Sequence, residues 1–422
     1  MPSQDTAVLS EAKAAALPHS GEVPLKRISI LGSTGSIGRQ CLQVVDSLPE
    51  RLQVVALAAG ESVARLAEQI EKHRPQVVSV ADERYAQQLR KILRERQHAP
   101  ATPLPEILYG PAGLTAVATH PDADVVVSAA VGVVGLPATY AAIRRGKLVA
   151  LANKEVLVAA GEIVMAAARE AGVTLLPVDS EHNAVHQCLR AGDLREVKRL
   201  ILTASGGPFR KTPLAEMNRA TPEQALAHPN WRMGNRITID SATMMNKGFE
   251  VIEAHWLFGI APERIEVIIH PQSTVHSMVE FVDGSVIAQL GPADMRLPIQ
   301  YALTYPQRVP AEGFSLDWAR IKRLDFERPS PRKFPCLGLA QQALRQGGAL
   351  PCALNAADEV AVAAFLEGRL PFPGIARVIE QVLDTMPQAP FATIEDVLAA
   401  DGDARRRAAQ AVTHSSIQGR NS

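Results

Sequence analysis

Hydrophobic residues in the first 180 positions fall into short apolar runs that alternate with amphipathic stretches. The stretch from Ser62 to Arg74, for example, has helical spacing and separates two such runs. Strands that alternate with helices form parallel sheets. We therefore predict an α/β fold with an N-terminal, doubly wound, mostly parallel Rossmann-like sheet, whose strands lie at 26–31, 52–58, 76–80, 123–128, 147–152 and 173–178.

The rest of the chain mixes strands with longer helices. The pattern predicts strands at 199–204, 237–241 and 266–270, a helix from Ser241 to Phe258, and a hairpin from Met278 to Leu290 that turns at Asp283-Gly284. From Leu337 to about Ala411 the spacing is helical. These elements predict a disordered N-terminal extension (1–24), a nucleotide-binding domain (25–178), a central α+β catalytic domain (179–304) with a lid near 221–236, a linker (305–335) and a C-terminal helical bundle (336–422).

Composition narrows the class of protein. The 422 residues carry 44 basic and 44 acidic side chains, so no net field attracts the chain to nucleic acid or to an anionic membrane. The four cysteines form no CxxC pair, which argues against a structural zinc and a disulfide framework. No apolar run approaches the ~20 residues of a membrane span. We expect a cytoplasmic protein that binds a small molecule.

A glycine turn follows the first predicted strand. Gly32, Gly35 and Gly38 have GxxGxxG spacing rather than the commoner GxGxxG, and a helix follows them. Such glycines either let the backbone approach a pyrophosphate at the helix N-terminus or simply allow the helix to pack closely. The succession of strands around the turn favours a nucleotide. At the tip of the second strand, Glu61 favours NAD and Arg65 favours NADP, so the sequence leaves that choice open.

Two carboxylates end the last strand of the predicted sheet. Asp179 and Glu181 are one residue apart, and oxygen ligands of this kind suit Mg²⁺ or Mn²⁺. The alternative is a helix N-cap, with Asp179 as the capping residue. Lys154 follows the neighbouring strand and should reach the same edge of the sheet, although the triplet 153–155 could also be ordinary capping. His182 and His186 lack the HExxH pattern, so we expect them to pack within the fold or to support neighbouring ligands rather than bind zinc.

Residues suited to an anion follow in the second half. Ser205-Gly206-Gly207 is either an anion-binding nest or a plain turn. Ser241, Asn246 and Lys247 offer two neutral donors and a charge, and Glu250 could be a third metal carboxylate, although a lysine with a nearby glutamate is usually a solvated pair. His270 and His276 are expected to be structural. Trp231 and Met233 suggest a lid that closes over a substrate, with a packed surface loop as the alternative.

Seven motifs together resemble the 1-deoxy-D-xylulose 5-phosphate reductoisomerase family over roughly residues 26 to 411. They are Gly32-Ser-Thr-Gly-Ser-Ile-Gly38, Leu151-Ala-Asn-Lys-Glu155, Leu176-Pro-Val-Asp-Ser-Glu-His-Asn183, Ser205-Gly-Gly-Pro-Phe209, His228-Pro-Asn-Trp231, Asp240-Ser-Ala-Thr-Met-Met-Asn-Lys-Gly248 and His270-Pro-Gln-Ser273. The resemblance implies NADPH- and metal-dependent rearrangement and reduction of a small phosphorylated substrate by a homodimer. Glu61 departs from the family pattern, so the expected NADPH preference rests on Ser62 and Arg65.

The resemblance also implies roles for individual residues. The implied catalytic residues are Lys154, Glu181, His228 and Lys247, and the implied metal ligands are Asp179, Glu181 and Glu250. The implied substrate contacts are Lys154, Ser180, Glu181, Ser205, His228, Trp231, Ser241, Asn246, Lys247 and Glu250. The implied NADPH contacts are Thr34, Gly35, Ser36, Ile37, Gly60, Ser62, Arg65, Gly132, Asn153, Glu155 and Gly234.

Two other functions remain open from the sequence. A metal-independent NAD(P)-dependent dehydrogenase would explain the first 150 residues equally well but would give the three carboxylates no role. A non-catalytic nucleotide-binding regulator would require Lys247 and the serines to be structural. Dependence of turnover on a divalent cation separates the proposed enzyme from both.

Overall fold

A computed structural model describes residues 24–96, 103–231, 233–311 and 313–418. The predicted N-terminal extension (1–24) lies almost wholly outside these residues. The chain divides into two compact units. The first contains the residues up to 156 together with 164–183 and 294–311, and the second contains 157–163, 184–293 and the residues after 312. None of the helices in the described part of the chain has the length and apolarity that crossing a membrane requires.

A seven-stranded sheet forms the centre of the first unit, in the order β4-β3-β2-β1-β5-β6-β7. Every pairing in it is parallel, as the alternating pattern predicts. Its strands are β1 (Lys26–Leu31), β2 (Leu52–Ala58), β3 (Val77–Val80), β4 (Glu106–Tyr109), β5 (Val125–Ser128), β6 (Leu148–Leu151) and β7 (Leu175–Pro177). The edge strand β4 was not predicted, because only one of its four residues is buried.

Helices connect these strands and cover the sheet. They are α1 (Ser36–Ser47), α2 (Val63–His73), α3 (Glu83–Arg96), α4 (Gly110–Ala118), α5 (Leu136–Arg144), α6 (Glu155–Ala171) and α7 (Ser180–Cys188), with a 3₁₀ turn at Gly132–Gly135. The amphipathic α2 directs Val63, Leu66 and Ile70 into the core of the unit. Parallel strands buried on both faces explain the continuous apolar runs of the sequence.

A later helix, α12 (Arg296–Thr304), also belongs to the first unit. Its Ile299 and Leu303 lie in the same hydrophobic core as β1. Lys26 at the start of β1 donates hydrogen bonds to the carbonyl oxygens of Leu303 (3.0 Å) and Tyr305 (2.8 Å). Residues 294–311 therefore pack with the first unit, whereas the sequence analysis placed 294–304 in the central domain and 305–311 in the linker.

A four-stranded sheet and helices make up the second unit. The sheet order is β11-β10-β8-β9, with β8 (Val197–Ala204) parallel to β9 (Ile265–Ile269) and antiparallel to β10 (Val275–Phe281), and β11 (Val286–Leu290) at the edge. The helices are α8 (Leu214–Met217), α9 (Pro222–Leu226), α10 (Asn235–Thr243), α11 (Met245–Phe258), α13 (Pro335–Gln346), α14 (Leu350–Leu366), α15 (Gly374–Thr385) and α16 (Ile394–Gln418). Short 3₁₀ turns occur at Leu189–Ala191, Leu194–Glu196 and Pro262–Arg264. The helical C-terminal region agrees with the predicted one.

The predicted strand at 237–241 is wrong, because these residues lie in helix α10. The β-branched sequence Ile237-Thr-Ile suggested a strand. The residues from Thr238 to Asp240 are all buried, so the alternation of a half-buried strand is absent. The Thr238 hydroxyl donates to the carbonyl oxygen of Gly234 (2.8 Å). The helix ends at Thr243, and the next residue, Met244, has a φ of +63°. Tertiary burial has overridden local propensity here.

Candidate active site

The glycine turn joins β1 to α1 under tight steric constraints. Gly32 has a φ of +87°, and a Cβ there would lie 2.4 Å from the carbonyl oxygen of Ala129. A Cβ on Gly38 would lie 2.3 Å from the carbonyl oxygen of Gly32. Close packing therefore requires two of the three glycines. Gly35 precedes the helix in an extended conformation, and no side chain of the described residues caps this end. The first N–H groups of α1 can therefore bind an anion.

Side chains from α2 hydrogen-bond to this turn, and one of them affects the choice between NAD and NADP. Buried Gln69 donates to the carbonyl oxygen of Ser33 (2.9 Å) and accepts from its hydroxyl (2.7 Å). Arg65 donates to the carbonyl oxygen of Thr34 (3.2 Å), which places its guanidinium beside the turn. Burial raises the pKa of Tyr85, and the nearby Glu61 carboxylate raises it further. The cation of Arg65 lies at the turn, an arrangement that favours a 2′-phosphate.

Asn153 links the ends of two neighbouring strands. Its amide nitrogen donates to the carbonyl oxygens of Ala130 (2.5 Å) and Gly132 (2.9 Å), beyond β5. Its side-chain oxygen accepts from the backbone N–H of Glu155 (3.0 Å) at the start of α6. Asn153 therefore holds the first N–H of α6 and shapes the turn after β5, while the N-cap residue of the helix is Lys154, whose side chain makes no capping bond within the described residues.

The carboxyl ends of β6 and β7 bring Lys154 to Asp179. The ammonium group of Lys154 forms an ion pair with one carboxylate oxygen of Asp179, and both side chains are largely buried. The other oxygen of Asp179 accepts from the backbone N–H of Glu181 (3.2 Å), and the Ser180 hydroxyl donates to Glu181 (2.5 Å). Asp179 thus acts as an N-cap and also carries a charge that attracts a cation. The two interpretations of this stretch are compatible.

The two histidines of α7 are buried. His182 is fully buried, and His186 is nearly so. Burial lowers the pKa of His186 to about 4, with Arg190 contributing in the same direction. A histidine that stays neutral in a buried position is typical of packing. This environment agrees with the expectation that these side chains pack within the fold.

In the second unit, the turn after β8 presents a serine hydroxyl. The Nδ1 atom of His228 accepts a hydrogen bond from the backbone N–H of Trp231 (2.9 Å), so the proton of a neutral imidazole lies on Nε2. Burial lowers the pKa of His228, which favours that neutral form. Nε2 lies 3.0 Å from the Ser205 Oγ, which also accepts from the backbone N–H of Gly207 (3.1 Å). With two donors directed at its oxygen, the Ser205 hydroxyl has its own proton available for an anion.

The same turn packs against helix α10. Gly207 has a φ of +64°, and a Cβ there would lie 2.6 Å from the carbonyl oxygen of Ser241. Only glycine can occupy this position without displacing one of the two segments. The close approach fixes the turn that carries Ser205 relative to the helix that carries Ser241. One backbone contact therefore holds together the segments that carry Ser205 and Ser241, the two serines proposed to donate hydrogen bonds to the substrate phosphate.

Helix α11 carries the remaining polar residues of this unit. The Asn246 amide donates to Glu250 (2.7 Å), and Lys247 forms an ion pair with the other oxygen of Glu250. The side chain of Lys247 is 4% exposed and that of Glu250 is 1% exposed. The solvated-pair interpretation is therefore wrong, because both charges are buried. A buried ion pair contributes little net stability, because the cost of removing both charges from water offsets their attraction.

The predicted lid segment contacts the connection between β9 and β10. Asn230 donates to the carbonyl oxygen of Pro271 (2.7 Å) and to the Ser273 hydroxyl (2.9 Å). The ring of Trp231 lies 6.4 Å from that of His276. Gly234 is at the N-cap of α10. Through these contacts the loop packs on its own unit. Closure of this loop over a substrate stays a prediction.

The sites predicted from the sequence are divided between the two units. The first unit contains the proposed cofactor residues Thr34, Gly35, Ser36, Ile37, Gly60, Ser62, Arg65, Gly132, Asn153 and Glu155, together with Lys154, Asp179, Ser180 and Glu181. The second contains Ser205, His228, Trp231, Gly234, Ser241, Asn246, Lys247 and Glu250. Sequence reasoning missed Gln69. A glutamine three residues after Leu66, on the apolar face of an amphipathic helix, is the signal that could have found it.

The first unit has a parallel sheet with a glycine turn, and the second has a serine-glycine-glycine turn and a buried lysine. Together these features are typical of a nucleotide-dependent enzyme that acts on an anionic substrate. Family models described as 1-deoxy-D-xylulose 5-phosphate reductoisomerase match residues 28–161 and, for its C-terminal domains, residues 175–258 and 290–407. The chain belongs to the 1-deoxy-D-xylulose 5-phosphate reductoisomerase family. The family predicted from the seven motifs is confirmed.

Individual relatives agree with this assignment. The chain is 54% identical over 388 residues to the reductoisomerase of Anaeromyxobacter sp. (strain K), a match that covers 92% of this chain and 97% of the relative. The structure of the Zymomonas mobilis enzyme in complex with NADPH has a TM-score of 0.85 and 45% identity, covering 92% of this chain and 99% of that one. A reductoisomerase in complex with NADPH, fosmidomycin and magnesium has a TM-score of 0.85 and 39% identity, covering 92% and 98%.

Proposed function

We propose that this enzyme converts 1-deoxy-D-xylulose 5-phosphate to 2-C-methyl-D-erythritol 4-phosphate with NADPH and a divalent cation, Mg²⁺ or Mn²⁺. One carbon–carbon bond of the substrate breaks and another forms, and the resulting aldehyde is reduced to an alcohol. When bound, the cation polarises substrate oxygens and the nicotinamide supplies a hydride. Asp179, Glu181 and Glu250 are the proposed metal ligands, and their oxygen donors suit a hard cation.

The observation that carries this proposal is that two of the proposed ligands are each paired with a lysine. Lys154 pairs with Asp179 in the first unit, and Lys247 pairs with Glu250 in the second. Each lysine neutralises a carboxylate that a divalent ion would otherwise neutralise. Once the carboxylates bind a cation, the ammonium groups become available to an anionic substrate. A metal-independent dehydrogenase would give these carboxylates no role in its reaction.

The remaining side chains orient the substrate. Ser205, Ser241, Asn246 and Lys247 bind the phosphate in this proposal, and the His228 Nε2–H directs the proton of the Ser205 hydroxyl outward. Ser180 and Trp231 contact the substrate body. Phosphate binding supplies orientation, because a group that does not react can hold the reacting carbons in place. Lys154 is close to Asp179 and can donate a proton to a substrate oxygen.

The test of this function is oxidation of NADPH with 1-deoxy-D-xylulose 5-phosphate, with and without Mn²⁺. We expect turnover that falls by at least about a hundredfold after exhaustive chelation and returns when Mg²⁺ or Mn²⁺ is added. The absorbance of NADPH measures the rate, and a no-substrate reaction is the control. Full activity after chelation would favour a metal-independent dehydrogenase instead.

Replacing Arg65 with glutamine is expected to lower NADPH affinity by about 10- to 100-fold, because a charged hydrogen bond to phosphate contributes about 1.5–3 kcal/mol. NADH affinity should change little, since NADH lacks the 2′-phosphate. Fluorescence titration with each nucleotide measures both values. Arg94→Gln, an exposed arginine on α3, is the matched control. Equal losses for NADPH and NADH would show that Arg65 acts only on the glycine turn.

We also propose a homodimer in the cytoplasm, as the sequence analysis expects. All four cysteines are free and buried, which suits a reducing compartment. Burial raises the pKa of the Cys41 and Cys352 thiols to about 12, so neither forms a reactive thiolate near neutral pH. Light scattering on the purified protein measures the oligomeric state.

A further inference from the structure

The fully buried His270 directly follows strand β9 in the second unit. Its backbone N–H donates to the carbonyl oxygen of Ala204 (2.7 Å), the residue before Ser205. Its ring stacks on that of Phe326, with the two centroids 4.8 Å apart. A buried imidazole needs hydrogen-bond partners for its nitrogens, because removing them from water costs free energy. The partners of the two nitrogens therefore determine which parts of the chain the ring holds.

Each ring nitrogen of His270 contacts a different segment. Nε2 accepts a hydrogen bond from the backbone N–H of Thr274 (3.2 Å). A nitrogen that accepts carries no proton, so the proton of the neutral ring is on Nδ1. Nδ1 lies 2.9 Å from the carbonyl oxygen of Asp325, to which it donates. His270 thus holds the turn 270–274 through one nitrogen and the segment around Asp325 through the other.

The turn 270–274 depends on such contacts because its backbone is strained. Ser273 has a φ of +51°, in the left-handed region that serine rarely adopts. A strained conformation of this kind persists only where the surrounding structure holds it. The backbone N–H of Ser273 donates to the carbonyl oxygen of His270 (3.1 Å), and the bond from Thr274 to the ring holds the next residue. Without the ring acceptor, the turn should relax to another shape.

This turn binds Asn230 of the predicted lid segment. The Asn230 amide donates to the carbonyl oxygen of Pro271 (2.7 Å) and to the Ser273 hydroxyl (2.9 Å). One amide group can serve two acceptors only while the turn keeps them at a fixed separation. The backbone N–H of Asn230 also donates to the His228 Nδ1 (3.3 Å). The shape of the turn therefore affects the position of the His228 imidazole.

The Nε2 atom of His228 lies 3.0 Å from the Ser205 Oγ. We propose that His270 is a positioning residue for the substrate phosphate. Its Nε2 keeps the turn 270–274 in the shape that binds Asn230. Asn230 in turn holds the His228 imidazole against Ser205. The inference rests on the proposed function, because it takes Ser205 as a phosphate donor.

Two amide variants separate the two ring nitrogens. In His270→Gln the side-chain oxygen can replace Nε2 and accept from Thr274, whereas in His270→Asn the amide nitrogen can replace Nδ1 and donate to Asp325. We expect His270→Asn to raise KM for 1-deoxy-D-xylulose 5-phosphate by about three- to tenfold, with a smaller change in kcat, because a hydrogen bond that serves binding is lost. The KM of His270→Gln should stay within about twofold of wild type.

Thermal midpoints show whether these effects follow stability instead. Each variant keeps one of the two bonds and loses the stacking on Phe326, so both should be destabilised. A merely structural role would make KM and kcat follow the loss of stability alike in the two variants. A KM for His270→Gln that equals or exceeds the KM of His270→Asn would overturn the positioning role.

Asn230→Ala tests the same chain of contacts without changing the core, because Asn230 is exposed. It should raise KM by about three- to tenfold. Adding it to His270→Asn should have little further effect, since both changes break the same link. Asn218→Ala replaces an exposed asparagine of the same unit and should follow wild type. Unchanged KM in Asn230→Ala would refute the positioning role even if the His270 variants do not fold.

Ser205→Ala distinguishes failure of this inference from failure of the proposed function. If Ser205→Ala raises KM but His270→Asn does not, the positioning role is refuted while the phosphate site stands. If Ser205→Ala leaves KM unchanged, the phosphate assignment fails, and the positioning role fails with it. A rise of KM in Ser205→Ala, His270→Asn and Asn230→Ala, with His270→Gln near wild type, is the result that the proposal expects.

Discussion

Replacing Glu250 with glutamine is expected to lower kcat/KM by about a thousandfold and to weaken Mn²⁺ binding by at least about tenfold. Glutamine has nearly the same volume and can still accept the hydrogen bond from Asn246. It lacks the negative charge that pairs with Lys247 and that a divalent cation requires. Kinetics at saturating NADPH measure the first value, and isothermal titration with Mn²⁺ measures the second without relying on turnover.

Folding must be measured alongside, because the change leaves the buried ammonium of Lys247 without its partner carboxylate. Loss of one member of a buried ion pair typically destabilises a protein by about 3–5 kcal/mol. The thermal midpoint with NADPH present shows whether the variant is folded at the assay temperature. Glu263→Gln removes an exposed carboxylate from the same unit and should behave as wild type. Near-wild-type activity and Mn²⁺ affinity in the Glu250 variant would mean that the third ligand is misassigned.

The second large effect is expected at Gly38, whose replacement by alanine should weaken NADPH binding by at least about a hundredfold. A Cβ at this position would lie 2.3 Å from the Gly32 carbonyl oxygen and 2.5 Å from the Cα of Ser33. Neither backbone atom can move without displacing the turn that the cofactor contacts. Fluorescence titration with NADPH and the thermal midpoint of the apoprotein measure the effect.

Gly338→Ala is the matched control, because Gly338 is also a helical glycine but has no atom within 4 Å of its would-be Cβ. Alanine there should leave NADPH affinity unchanged and stabilise the protein by up to about 1 kcal/mol, since alanine is the better helix former. A Gly38→Ala protein with wild-type affinity would show that the turn tolerates displacement. In that case the glycines would serve helix packing alone.

The sequence was most informative where one physical rule dominated. The parallel sheet could be predicted because strands buried on both faces are continuously apolar, and the glycine turn could be predicted because its steric demands exclude other residues. Asp179 and Lys154 could be brought together because adjacent parallel strands end at one edge. In each case the decisive interaction lies close in sequence or follows from the order of strands.

Other features depend on contacts that local patterns do not encode. The sequence predicts a strand where helix α10 lies, because Ile237-Thr-Ile favours extended structure. Only the burial of these residues within the second unit reverses that preference. The choice between Glu61 and Arg65 was open until the hydrogen bond from Arg65 to the Thr34 carbonyl oxygen showed that this side chain lies at the turn.

The return of residues 294–311 to the first unit has a consequence for how the protein is synthesised. The ribosome completes all seven strands of the large sheet by Pro177, but α12, whose Ile299 and Leu303 fill the core beside β1, is made more than a hundred residues later. During that interval the nascent sheet exposes the apolar surface that α12 will cover. Nascent chains arrested before residue 294 should therefore bind holdase chaperones more strongly than chains arrested after residue 311 has left the exit tunnel.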